Sequence, residues 1–182
     1  MEIIIHATST GPLRNALDSF WETVDVQSRP TRAQDWQPHV TITNTLRDQQ
    51  GNRADLDENQ VAQVGQIVSG AIAGLPHSSK SAPTISPLTS DFSQSRFEVT
   101  CPGWVEVGRG IEAEVAKTLG LQCTAEIGLH LSVAWGTGYS HTFHSPLASN
   151  ALESVPLDED KWSIGLWTKI GQAWVPQLVV PW

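Results

Sequence analysis

Two short stretches share one pattern of apolar and polar positions: Pro38-His39-Val40-Thr41-Ile42-Thr43 and Leu129-His130-Leu131-Ser132-Val133-Ala134-Trp135-Gly136. Side chains alternate between the two faces of a strand, so His39 and Thr41 share one side while Val40 and Ile42 share the other. His130 and Ser132 are related in the same way, with Leu131 and Val133 opposite them. The apolar face of each run suits a core. The polar face aims an imidazole and a hydroxyl outward, and two such strands can direct two of each into one cleft.

The remaining pattern predicts alternating strands and helices. Glu2 to Ala7 reads as a strand, and a Thr-Ser-Thr-Gly-Pro turn leads into a helix over Leu13 to Thr23, with Leu13, Leu17, Phe20 and Val24 on one face. Gln27 to Gln37 is a polar loop carrying Trp36. The first motif strand spans about His39 to Thr45. Asp57 is placed to cap a helix over Glu58 to Ala73, whose stripe is Val61, Val64, Ile67, Val68 and Ile72 and whose stop is Gly74-Leu75-Pro76. A serine-rich loop, His77 to Thr84, precedes strands over Thr84 to Thr89 and Arg96 to Cys101. Trp104 to Leu119 is helical, weakened by Gly108 and Gly110 and stopped by Gly120. The second motif strand covers about Glu126 to Trp135. Gly136 to Pro146 is expected to be a flexible loop and Leu147 to Asp160 irregular. Trp162 to Ile170 and Ala173 to Val180 form a hairpin across Gly171-Gln172. The order is strand, helix, motif strand, helix, two strands, helix, motif strand, a near-repetition. It predicts an α+β chain, residues 1–182 forming a single domain of two pseudo-symmetric lobes, each an antiparallel sheet with helices on its outer face and a cleft between them.

Composition narrows the partners. The chain has 182 residues, a formal net charge of −8 and a pI near 5.1. Affinity for long duplexes depends on neutralising phosphates, so no duplex nucleic acid is expected as a partner. No run of apolar residues approaches a membrane span, and Met1 to His6 lacks the basic start of an export signal. With only Cys101 and Cys123, both expected to be free and buried, the chain reads as a cytoplasmic, reduced protein without membrane partners. Eight tryptophans stand against one tyrosine and four phenylalanines. Most are expected to pack in the core.

The doubled H-x-T and H-x-S motif resembles that of the two-histidine (2H) phosphoesterase superfamily, in particular its 2',3'-cyclic nucleotide phosphodiesterase and 2',5'-RNA ligase-like branch. The resemblance implies that His39 and His130 act as acid and base and that Thr41 and Ser132 bind phosphate. It also carries over to His130, Ser132, Trp135 and Gly136 the pattern H-x-S-x-x-[aromatic]-G, in which the aromatic borders the substrate. Members of the branch commonly have Tyr there; Trp135 keeps a stacking face and an N–H. The chemistry agrees with the residue types. Histidines titrate near neutrality, so a pair can hold opposite protonation states, and hydroxyl donors can stabilise charge on non-bridging oxygens without a metal. No cofactor or metal is expected. His141 and His144 lack the further ligands that a zinc site needs. His6 is expected to pack or hydrogen-bond at the sheet end, and Trp36 to pack.

The implied function is metal-independent hydrolysis of 2',3'-cyclic phosphates on small nucleotides or RNA 3'-ends, or of ADP-ribose 1'',2''-cyclic phosphate, to 2'-phosphates by a monomer. Two alternatives use the same residues: action on 2',5'-linked substrates, and a non-catalytic nucleotide-binding module. A longer groove lined by basic residues would favour the first. The sequence leaves open which of Arg14, Arg29, Arg32, Arg47, Arg53, Arg96 and Arg109 face the site.

Overall fold

The apolar faces of the strands and helices meet in one core. A computed structural model describes residues 1–27, 31, 33, 38–171 and 173–182. Trp36, Arg29 and Arg32 lie outside them. In chain order the elements are β1 (Ile3–Thr10), α1 (Pro12–Val26), β2 (Val40–Thr43), α2 (Glu58–Ala73), β3 (Thr84–Ile85), β4 (Thr89–Ser90), β5 (Gln94–Thr100), α3 (Pro102–Leu119), β6 (His130–Trp135), α4 (His141–Leu152), β7 (Lys161–Ile170) and β8 (Ala173–Pro181). The strands join in the order β3-β5-β6-β2-β1-β7-β8, with β4 paired to β5. Every recorded pairing is antiparallel. The chain is therefore α+β. The two motif strands, β2 and β6, are neighbours near the middle of the sheet.

One face of the sheet supplies Ile3, Ile5 and Ala7 from β1, Val40 and Ile42 from β2, Phe97 and Val99 from β5, Leu131 and Val133 from β6, and Ile164 and Leu166 from β7, all buried in one core cluster with the helices. The helices contribute the predicted stripes: Leu13, Leu17, Phe20 and Val24 from α1, and Val61, Val64, Val68 and Ile72 from α2. Ile67, also in the expected stripe, is only partly buried. Asp57 caps α2 as expected, accepting from the Gln60 amide at 2.8 Å while the Gln60 side chain accepts from the Asp57 amide at 3.1 Å. Trp104 anchors the centre, fully buried and edge-on to Trp162. Cys101 and Cys123 are free and buried, and burial pushes both thiols up, Cys123 to about 11. Among the described residues no helix is long and apolar enough to cross a membrane.

Three local expectations are corrected. β1 continues through Thr8 and Ser9 to Thr10 instead of turning after Ala7, because β7 pairs with it as far as Thr10. The strand expected over Thr84 to Thr89 is two two-residue strands separated by Ser86-Pro87-Leu88, since Pro87 has no amide to donate. The segment expected to be a flexible loop and then irregular contains α4, a helix from His141 to Leu152 that accommodates Pro146. His144 is buried there, and its Nδ1 accepts from the Ser140 amide at 2.9 Å, satisfying a donor that the start of the helix leaves free. His141 and His144 are thus helix residues, with the His141 ring tilted against that of Phe92 at 5.6 Å.

Candidate active site

Pairing of Val40 with Leu131 is the geometric centre of the candidate site. Partners in an antiparallel ladder point to the same face, and these two point into the core, so the residues flanking them point to the other face. This register sets His39 level with Ser132 and Thr41 level with His130. Each imidazole stands across from the other motif's hydroxyl. All four, with Trp135, line one cleft of about 410 Å³ on the sheet face away from the helices, within the size range of small-molecule sites.

Trp135 reaches the cleft by a device that strict alternation would miss. Ser132 pairs with Arg96 while Ala134 pairs with Ser95, so Val133 is an extra residue on β6, a β-bulge. The bulge reverses the alternation after Ser132 and turns Trp135 to the cleft side. The Val133 carbonyl accepts from the buried Trp21 Nε1–H of α1 at 2.9 Å. A second bulge stands at the same motif position on β2. His6 pairs with Thr41 and Ile5 with Thr43, leaving Ile42 as the extra residue.

The two histidines sit in different surroundings. His130 donates from Nδ1 to the Gly128 carbonyl at 3.1 Å, which assigns the proton to that nitrogen in the neutral ring and leaves Nε2 as the working atom. His39 lies at the entrance to β2, its ring 4.6 Å from that of His6. His6, expected to pack or hydrogen-bond at the sheet end, does pack, but not there. It instead occupies the cleft floor, 1 % exposed, between His39 and the Trp167 ring 5.3 Å away. Gly165 makes this possible. It pairs with His6 across β1 and β7, and a Cβ there would meet Trp167 Nε1 at 2.6 Å. Neither ring nitrogen of His6 has a hydrogen-bond partner among the described residues.

Burial, and secondarily the charge of His39, holds the His6 pKa well below its ordinary value of 6.5. As pH falls below about 6.5, the unfolded chain takes up a proton here that the folded chain refuses, so stability declines, by up to about 1.4 kcal/mol per pH unit. The contribution is complete above that pH and lost below it. His6→Phe keeps a ring and removes the titration. Urea unfolding at pH 7.5 and 5.5 is expected to show a smaller loss of stability in the variant than in the parent; an equal loss would assign the acid sensitivity elsewhere.

No family model matches the chain, and neither a curated protein nor a solved structure matches it.

Proposed function

We propose that the chain is a cytoplasmic, metal-independent 2',3'-cyclic phosphodiesterase of the two-histidine phosphoesterase kind, with His39 and His130 as acid and base. The observation that carries this reading is the register about Val40 and Leu131, which gathers two imidazoles and two hydroxyls on one cleft face. In the proposed reaction one imidazole takes a proton from water as its oxygen bonds to phosphorus. The bond from phosphorus to the ribose 3'-oxygen breaks, and the other imidazole protonates that oxygen. A 2'-phosphate remains. Thr41 and Ser132 donate to the non-bridging oxygens, where charge builds in the transition state. Trp135 borders the sugar or base.

The proposal extends to a two-lobed, pseudo-symmetric organisation. In support, the run β1-α1-β2-α2 is matched by β5-α3-β6-α4, and the sheet places β5-β6-β2-β1 side by side with the motif strands innermost. The bulges at Ile42 and Val133 fall three residues after His39 and His130 respectively. A duplicated unit that pairs with its twin in antiparallel fashion brings its two histidines to a common pocket.

The test is incubation of the purified chain with 2',3'-cyclic mononucleotides in the presence of a chelator, with products resolved by phosphorus NMR. The expected result is a 2'-phosphate formed at an undiminished rate. Loss of activity with the chelator, or binding without turnover, would overturn the reading.

A further inference from the structure

The face that carries the cleft is chemically lopsided, and the lopsidedness selects among substrates. On the β1 and β7 side the cleft is bounded by Ile4 and His6 with Trp167 behind, neutral groups throughout. On the β5 side the register is Arg96 opposite Ser132 and Glu98 opposite His130. Cross-strand partners share a face, so Arg96 and Glu98 flank the motif residues directly. Phe97, between them, is buried in the core.

Arg96 is held ready without being used up. Its Nε donates to Glu98 Oε1 at 2.7 Å, with the side chains 34 % and 47 % exposed. Among the described residues its two terminal nitrogens make no hydrogen bond, and the exposed Asp91 carboxylate lies within its electrostatic reach. An exposed pair of this kind contributes little, about 0–1 kcal/mol, so a phosphate can compete for the guanidinium at small cost. The guanidinium fork suits two phosphate oxygens at once. Of the other described arginines, Arg14 is engaged with Asp18, Arg47 with the Gly51 carbonyl and Arg53 with Glu2, while Arg109 is exposed on α3, on the helix side of the sheet.

Resting on the cyclic phosphodiesterase reading, we propose that Arg96 forms a second anion subsite and that the preferred substrate carries one more phosphate beyond the cyclic one. The cyclic phosphate sits on His39, Thr41, His130 and Ser132, and the additional phosphate lies along β5. Glu98 holds the guanidinium in place before the substrate arrives. The substrate class is a nucleotide or short RNA end with a further phosphate, in preference to a mononucleotide.

The experiment compares kcat/KM for a 2',3'-cyclic mononucleotide, a dinucleotide ending in a 2',3'-cyclic phosphate, and ADP-ribose 1'',2''-cyclic phosphate, in the parent and in Arg96→Gln. The parent is expected to favour at least one of the two longer substrates by about tenfold at low salt, and the variant to bring that ratio close to one. The favoured arm identifies whether the extra phosphate is a neighbouring nucleotide's or a diphosphate's. A parent that opens the mononucleotide with no preference, or a variant that keeps the preference while losing activity on all substrates alike, overturns this inference and leaves the phosphodiesterase reading standing. A parent that opens none of the three overturns both.

Discussion

Alanine at His39 or at His130 is expected to lower kcat/KM on a 2',3'-cyclic nucleotide by about a hundredfold or more, the scale of a lost acid or base. Neither ring is buried in the core, so neither loss is expected to unfold the chain; thermal melting within a few degrees of the parent checks this. Groups that act on one transition state as a unit are not additive. The double variant is therefore expected to fall well short of the product of the two single losses. If His39→Ala and His130→Ala each cost little, or if one costs everything and the other nothing, the acid and base pair dissolves. The pH profile supplies a separate check. A bell-shaped profile is expected in the parent, with one limb lost in each single variant whose residual rate is measurable.

The motif faces were legible because alternation is a local property. His39 and Thr41, and His130 and Ser132, fall on shared faces whatever the rest of the chain does. The convergence of the two motifs was not legible in this way, since it depends on β2 and β6 being neighbours, a long-range pairing that rests on a single recorded ladder pair, Val40 with Leu131. The helix over Glu58 to Ala73 was readable to the residue because Asp57 announces its cap and Gly74-Leu75-Pro76 its stop. α4 was not: Pro146 argues against a helix interior, and only three of its twelve residues, His144, Ala148 and Leu152, are buried. The bulges left no sign in the hydrophobic pattern. Ile42 and Val133 continue the alternation of their runs, and the register shift becomes visible only against β1 and β5. His6 was misplaced for a related reason. Its period with Ile4 on β1 was available, but that the neighbouring Gly165 leaves room for Trp167 to cover it depends on a strand far along the chain.

The same limit of local reading makes the largest expected stability effect run against helix propensity. Gly108 and Gly110 both sit inside α3, where glycine costs about 1 kcal/mol relative to alanine. On propensity alone, alanine at either position stabilises. Their surroundings separate them. A Cβ on Gly108 would stand 2.9 Å from the Ile42 carbonyl oxygen, closer than packed atoms come, and a tight 3.1 Å from the Ala125 Cβ. Ile42 is the bulged residue of β2, so α3 lies directly on the backbone of the strand that carries Thr41. A Cβ on Gly110 would find the Ala71 Cβ of α2 at 3.6 Å, an ordinary contact. Gly108→Ala is therefore expected to destabilise by about 1–3 kcal/mol, the usual range for overpacking, in spite of the propensity gain. Gly110→Ala is expected to stabilise by about 0.5–1 kcal/mol. Urea unfolding of the two variants beside the parent measures both. Because relief of the Gly108 clash must move β2 or α3, turnover of a cyclic nucleotide is expected to fall in Gly108→Ala well below the midpoint of its unfolding and to hold in Gly110→Ala. Opposite expectations on two glycines of one helix leave little room for an indirect explanation: a stabilising Gly108→Ala would show that the contact between α3 and the motif strand yields without strain.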